Sequence, residues 1–450
     1  MKKLLSFLII VTVLCTYAVP FCSADGIKQP ELISESAVLM DVETGQVLWE
    51  KNMHDKKYPA SITKIMTVLL AVENLSLTDT IKMSEEAVSS VSRDSSHIAL
   101  DFGEELSVED AVCAALLVSA NDACNGIAEK VSGSIEKFAA LMTEKAKEVG
   151  ALGTNFNNAN GLKDEKHYTT AYDMAKITSY AVKNETFRKY FGMSRYVMAP
   201  SNKQEEERPW NNQHSMITDP KFKYEGIVGG KAGYTTDAQY TLVTVAERDG
   251  RMLVAVVMRS PKLNDKYTDT KALLDYGFQN FTRLEFTPEE VSKTDIPVVN
   301  EKGDETTVKL TMNEPISFYV INTVSKDSIT QTYELPEGKI SKDSIATLTF
   351  HLPEGVVGMY PSLSTFTYAN VILNSDEEAA ALAAAGLSTG HGFWYYVGQF
   401  FKIVVITALS IFGILVLIFI ARVIRKQRYL KRKRLRAEQQ RRRQQYGRGK

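Results

Sequence analysis

Cysteine is scarce in this sequence. Four occur in 450 residues, and two of them, Cys15 and Cys22, fall within the first 24. That leaves Cys113 and Cys124, which excludes a disulfide framework. On one continuous helix those two would stand about 16 Å apart, too far to bridge, so both are expected as buried free thiols. The six histidines are scattered without metal-ligand spacing, which argues against a metal centre. No internal repeat is present. Net charge is nearly absent as well, at −1, but this balance hides a division. Arg422 to Lys450 holds fourteen Lys or Arg and a single acid, Glu438, so residues 25–421 carry about −16. An acidic body argues against a nucleic-acid partner.

Long apolar runs occur only at the two ends. Residues 1–24 begin with Lys2 and Lys3, continue through an apolar stretch and end on Ser23 and Ala24, the pattern of a secretory signal peptide cut after Ala24. No leucine stands three residues before Cys15 or Cys22, so no lipid anchor is expected. Near the other end Ile403–Ile420 is uncharged and apolar, preceded by Phe393-Trp394-Tyr395-Tyr396 and followed by Arg422, Arg425 and Lys426. Length, aromatic belt and trailing positive charge predict one transmembrane helix over 398–421, with the tail 422–450 in the cytoplasm beside anionic lipid headgroups. The tail equally suits a solvated stop-transfer anchor, or binding of a protein or nucleic acid. The body of the protein is expected outside the cytoplasmic membrane.

Between the ends the composition shifts once. Residues 30–280 mix strand-like runs with helical stretches such as VEDAVCAALLV and TTAYDMAKITSYAV; two hairpins are expected, turning at Glu43-Thr44-Gly45 and at Asp249-Gly250. Residues 284–373 read as short alternating segments broken by Pro, Gly, Asn and Asp, a small all-β module. Residues 375–392 are acidic, Ala-rich and then Gly-rich, a linker.

Chemistry is suggested by the stretch Tyr58-Pro59-Ala60-Ser61-Ile62-Thr63-Lys64. Helical spacing puts Ser61 and Lys64 side by side, and an amine of lowered pKa can take the proton of a serine hydroxyl. Ser119-Ala120-Asn121 follows an apolar helical run and precedes another helix. Gly229-Gly230-Lys231-Ala232-Gly233-Tyr234-Thr235 opens the second hairpin, where glycines beside a lysine allow close approach of a substrate backbone. Each signal alone is weak.

In this order and separation the three resemble the Ser-x-x-Lys, Ser-x-Asn and Lys-Thr-Gly motifs of penicillin-binding proteins and serine β-lactamases. LMDVETGQVLWEKN, PASITKIMT, VSANDAC and NANGLKDEKHYTTAYDMAKI narrow the resemblance to the low-molecular-mass D-alanyl-D-alanine carboxypeptidases of peptidase family S11. The resemblance implies an α+β fold, a penicillin-binding/β-lactamase-like transpeptidase domain with an antiparallel sheet flanked by helices, followed by a small all-β domain. It implies Ser61 as nucleophile, Lys64 as general base and Ser119 as proton relay. Asn121, Lys231, Gly233, Tyr234 and Thr235 would bind substrate, with Lys231 attracting the terminal carboxylate and lowering the pKa of Lys64. The N–H groups of Ser61 and Tyr234 would form the oxyanion hole. Peptidoglycan stem peptides and β-lactam antibiotics are the implied partners, and no metal or organic cofactor is required.

One departure stands out. Ala232 replaces the hydroxyl residue of the family pattern, removing a hydrogen bond to the substrate carboxylate; Thr235 or Thr236 is placed to compensate. A catalytically weak wall-binding scaffold is therefore an alternative, and a β-lactamase another, although a membrane anchor and a β module suit a wall polymer better than a diffusing antibiotic. His167 suits either a catalytic role or a cap for the helix after it, and Cys124 either a reactive thiol near the site or a small core residue.

Overall fold

The computed structural model describes residues 27–291, 293–299, 305–311, 315–334, 345–353 and 365–373. The expected leader, linker, apolar run Ile403–Ile420 and basic tail lie outside these residues. Among the described residues no helix is long and apolar enough to cross a membrane.

The described chain divides into two units, the first reaching Glu285 and also including Ile316–Gln331. Its centre is an antiparallel sheet of five strands, β1 (Ser36–Asp41), β2 (Val47–Lys51), β3 (Ile227–Thr235), β4 (Gln239–Arg248) and β5 (Arg251–Ser260), in the spatial order β2-β1-β5-β4-β3. Both expected hairpins form. Asp41 Oδ1 accepts hydrogen bonds from the N–H and hydroxyl of Thr44 in the first turn. Asp249 and Gly250 both take positive φ in the second, the type I′ geometry that matches strand twist.

All six residues of β1 are buried, so the strand reads as a continuous apolar run and not as an alternation. The reason is that helices cover both faces. Helix α5 (Leu263–Asn280) lies on one, where Gly277 meets Leu39 and Leu253. Val38, Met40, Val254 and Val256 point the other way, into the main apolar cluster. That layer holds α1 (Lys64–Asn74), α2 (Val108–Leu117), α3 (Asn121–Ser132) and α4 (Ala171–Ala181). Helix α1 runs through its middle and packs on the other three. Every residue from Lys64 to Ala71 is buried, which is why this helix is apolar on nearly all sides.

Helix ends are fixed by local chemistry. Ser107 and Asp110 form a reciprocal capping box at α2, and the side chain of Thr170 accepts from Asp173 N–H at α4. Helix α3 differs. Its N-cap is Ala120, with no side-chain cap, and the polar residues around it serve other ends. Val118–Ala120 separate two helices, as the position of Ser119-Ala120-Asn121 between two helical runs predicts, so Cys113 sits on α2 and Cys124 on α3, both free and buried.

The second unit carries a sheet with strands in the order Lys293–Val299, Glu305–Thr311, Thr365–Leu373, Ile345–His351 and Thr330–Glu334.

Candidate active site

Ser61 lies in a 3₁₀ turn, Ala60–Thr63, that leads directly into α1. Ala60 has φ of 50°, a conformation that costs a non-glycine residue on the order of 1 kcal/mol and persists only under constraint. Two neighbours supply it. Thr241 on β4 donates its hydroxyl to Pro59 O at 2.9 Å, and Gly161 packs so closely that a Cβ there would collide with Ala60 O. Across the turn runs β3. A Cβ on Gly233 would stand 2.8 Å from Ser61 N, so only glycine lets strand and turn approach this far.

Lys64 Nζ is 3.0 Å from Ser61 Oγ, 2.7 Å from Asn121 Oδ1 and 2.6 Å from Asn160 O. An ammonium has three protons and no acceptor, whereas the neutral amine has two protons and a lone pair. Since Asn121 and Asn160 offer only acceptors, they occupy two N–H groups of the neutral amine. As an ammonium, Lys64 donates to Ser61 Oγ as well; once it is deprotonated, the lone pair is the position that faces the hydroxyl proton of Ser61. Burial favours that neutral form, because Lys64 is fully enclosed and desolvation lowers its pKa to about 8.

Lys231, on β3, is buried too. Its pKa is held well below the ordinary lysine value by burial first and by the charge of Lys64 second. For Lys64 the leading cause is thus burial, not the charge of Lys231 that the sequence suggested. The ammonium of Lys231 donates to the carbonyl of Ala232 at 3.0 Å, and it forms no ion pair among the described residues.

Ser119, at φ of 63°, is 3% exposed and its hydroxyl has no hydrogen-bond partner among the described residues. Asn121 opens α3; its Nδ2 donates to Ser95 Oγ at 3.1 Å, and its backbone N–H donates to Ser96 O at 2.9 Å. Tyr234 is exposed on β3, its ring against that of Tyr240. Thr235 Oγ1 accepts from Ala238 N–H at 3.1 Å, which engages it in the β3–β4 turn. Ala232, paired with Leu242, has a methyl where the family pattern has a hydroxyl.

His167 is 1% exposed. Its Nδ1 accepts from Asn157 N–H at 3.0 Å, so Nε2 carries the proton and donates it to Thr63 Oγ1 at 2.9 Å. Burial lowers its pKa to about 4. The imidazole is therefore a neutral brace under the Ser61 turn, and the cap of α4 is Thr170. Cys124 is fully buried with its thiol pKa raised to about 11 by desolvation, the inert condition of a core residue.

Sequence reasoning missed three contributors. Asn160 enters through its backbone carbonyl, which no side-chain pattern reveals. Lys266, on α5, is buried between the rings of Tyr240 and Tyr267, 5.3 and 5.0 Å from their centroids, with no carboxylate paired to it among the described residues. Desolvation lowers its pKa to about 8, and its charge in turn acts on Lys231. His214 packs between these lysines and Thr244, whose hydroxyl lies 2.9 Å from its Nε2. A lysine thirty-five residues beyond Lys231 belongs to no local motif.

The profile of the D-alanyl-D-alanine carboxypeptidase family, peptidase S11, matches residues 23–262, more than half of the chain. D-alanyl-D-alanine carboxypeptidase DacF of Bacillus subtilis is 35% identical over 326 residues, covering 70% of this chain and 81% of that protein. The chain belongs to this family. Among solved structures, penicillin binding protein 5 from Haemophilus influenzae superposes with a TM-score of 0.63 at 25% identity, covering 78% of this chain and all of that one. The Streptomyces K15 DD-transpeptidase does so with a TM-score of 0.52 at 25% identity, over 56% of this chain and 99% of its own. The α+β architecture is that of the penicillin-binding proteins. Ser61, Lys64, Ser119, Asn121 and Lys231 are all present and gathered along α1, α3 and β3, with Ala232 the departure from the family pattern.

Proposed function

We propose that this chain releases the terminal D-Ala from peptidoglycan stem peptides through an acyl-enzyme on Ser61, and that penicillins acylate the same residue. The reading rests on one observation above the others, the hydrogen-bond set of Lys64, which holds the amine 3.0 Å from Ser61 Oγ so that its lone pair, once the amine is deprotonated, faces that hydroxyl. In acylation, Ser61 Oγ forms a bond to the carbonyl carbon of the penultimate D-Ala while its proton passes to Lys64. The N–H groups of Ser61 and Tyr234 receive the oxyanion; one such donor is typically worth about 10² to 10³ in rate. The C–N bond then breaks, and the proton travels from Lys64 through the unpartnered hydroxyl of Ser119 to the departing amine. In deacylation water attacks the ester with Lys64 taking its proton, and Ser61 Oγ recovers a proton as it leaves.

Lys231 and Lys266 form the anion-capturing side. Two buried amines without a carboxylate are costly, and the terminal carboxylate of a D-Ala-D-Ala peptide supplies the missing charge. Asn121 holds the substrate peptide group with its amide, and Gly233 gives the backbone room along β3.

The placement of this chemistry is proposed on sequence features: a leader at 1–24, a span at 398–421 and a basic tail inside, so that the catalytic unit faces the wall. Protease added to sealed protoplasts should remove the catalytic unit and spare an epitope at Lys450; loss of the epitope as well would refute the topology.

The function is tested with the purified protein and diacetyl-Lys-D-Ala-D-Ala, following D-Ala release beside labelling by a fluorescent penicillin. Both should disappear in Ser61→Ala, by at least about 10³-fold. Release that persists in the variant would remove Ser61 from the mechanism.

A further inference from the structure

Four residues past Asn121, about one helical turn along α3, stands a second buried asparagine, Asn125, only 2% exposed. Residues four apart share a helix face. The Asn121 amide reaches Lys64 from that face, and the Asn125 amide reaches Asn160 instead. Its Oδ1 accepts from Asn160 Nδ2 at 3.2 Å, while its Nδ2 donates to Ala87 O at 3.3 Å and to Ser90 Oγ at 3.1 Å. Partners with a single role fix these directions. Leu162 N–H donates to Asn160 Oδ1 at 3.0 Å, which turns Asn160 Nδ2 toward Asn125. The carbonyl of Ala87 can only accept, which turns Asn125 Oδ1 toward Asn160.

The backbone carbonyl of Asn160 is the one that accepts from Lys64 at 2.6 Å. The loop carrying it is closed on itself by Asn158, whose Oδ1 accepts from the N–H groups of Asn160 and Gly161. Local closure sets the shape of a loop, not its place over a helix. Placement comes from side chains that reach it from elsewhere, Thr67 of α1 donating to Ala159 O at 2.5 Å and Asn125 of α3 holding the Asn160 amide. The consequence for Lys64 is directional. With Asn121 Oδ1 and Asn160 O on its two N–H groups, the neutral amine faces Ser61 with its lone pair; were the carbonyl displaced, one N–H would be released and could turn to Ser61 Oγ in place of the lone pair.

We propose that Asn125 is a positioning residue for acylation, holding through the side chain of Asn160 the carbonyl that orients Lys64 toward Ser61. Helix α3 thus grips the base twice, directly through Asn121 and at one remove through Asn125. The inference rests on the function proposed above. The titratable groups that face Lys64 are Asp122 and Cys124 on α3, Lys231 on β3 and His167 before α4. Substitution of Asn125 removes none of them, so its effect on the base passes through the carbonyl.

The test follows acylation by a fluorescent penicillin between pH 6 and 10, beside kcat and KM for diacetyl-Lys-D-Ala-D-Ala, on the purified protein and on Asn125→Leu, Asn160→Ala and Asn125→Asp. Asn125→Leu should lower kcat and the high-pH plateau of acylation by about five- to tenfold, the size of one hydrogen bond, with KM kept within about twofold. Its pH midpoint should fall, because the ammonium loses an acceptor that favours it. Asn160→Ala keeps the carbonyl, removes its tether and should reproduce both changes. Asn125→Asp restores an acceptor for Asn160 and adds a negative charge, so its plateau should return to within about twofold of the wild type and its midpoint should rise. A residue that merely fills space would not move the midpoint in opposite directions. A plateau and midpoint unchanged in Asn125→Leu, or equal midpoints in the Leu and Asp variants, would overturn the positioning role while leaving the carboxypeptidase reading intact. If circular dichroism shows Asn125→Leu unfolded, Asn160→Ala and Asn125→Asp decide by the same two criteria. A wild type that neither releases D-Ala nor takes the label would overturn the carboxypeptidase reading, and the positioning role with it.

Discussion

Two buried amines lie on facing walls of one site, and they are treated differently by the protein. Lys64 is saturated: Ser61, Asn121 and Asn160 hold it in a fixed geometry. Among the described residues Lys231 donates to one carbonyl, and Lys266 lies against aromatic faces with no carboxylate paired to it. Buried polar groups are nearly always satisfied, so the contrast separates two kinds of machinery. The saturated amine is complete before substrate arrives. On the proposed function, the unsaturated pair becomes complete when the carboxylate of the substrate enters.

This comparison can be broken by exchanging each amine for an isosteric apolar chain. Lys64→Met should abolish acylation, by at least about 10³-fold. It should also destabilise the protein by about 1–3 kcal/mol, since the amide oxygen of Asn121 and the carbonyl of Asn160 lose their donor. Lys231→Met should lower kcat/KM for D-Ala-D-Ala peptides by about ten- to a hundredfold, mainly through KM, and leave thermal stability equal or higher, because an amine that pays for burial without a partner is removed. Urea unfolding beside steady-state kinetics checks both variants. Equal destabilisation by the two would erase the distinction drawn between them.

A gain of function sharpens the comparison from the other side. Ala232→Thr places a hydroxyl next to Lys231 on the edge of β3, and one charge-assisted hydrogen bond to the substrate carboxylate corresponds to about 1.5–3 kcal/mol. Peptide kcat/KM should rise by roughly ten- to a hundredfold, with no matching change for a substrate lacking the terminal carboxylate. An unchanged value would mean that Lys266 already saturates carboxylate capture. The smallest effect is expected at His167, which touches neither reacting atoms nor substrate-binding groups. His167→Phe should cost about 1–3 kcal/mol of stability, for the donor of Asn157 and the hydroxyl of Thr63 left without it, and only a few-fold in kcat. Its low pKa, about 4, also means that wild type and variant should show the same pH profile above pH 6.

Much of this site is legible in the sequence because helical and strand spacing are local properties. Ser61 and Lys64 meet because they are three residues apart at a helix start, and both hairpins follow from their turn residues. What distance along the chain conceals is which side chains share a buried volume. Lys266, on α5, acts on Lys231 through its charge although thirty-five residues separate them, and Asn160 contributes a carbonyl that any residue type would carry. Thr235, a candidate to stand in for the missing hydroxyl, is drawn into its own hairpin turn at Ala238, a competition decided by backbone geometry. The break between α2 and α3 is legible as the stretch Ser119-Ala120-Asn121 between two helical runs, but its backbone is not, because Ser119 adopts positive φ without being glycine.

The central claim is that Lys64 acts as a neutral base, made so by burial. The most direct measurement is the rate of Ser61 acylation by a fluorescent penicillin between pH 6 and 10. A lysine whose pKa is lowered to about 8 is protonated and inactive below that value and free above it, so the rate should rise with pH through a midpoint near 8. In Lys231→Met the midpoint should stay near 8, because burial of Lys64, and not the charge of Lys231, lowers this pKa. A rate that is flat from pH 6 to 10, or that falls as pH rises through 8, would contradict the account, since the base would then be a group other than the neutral amine of Lys64.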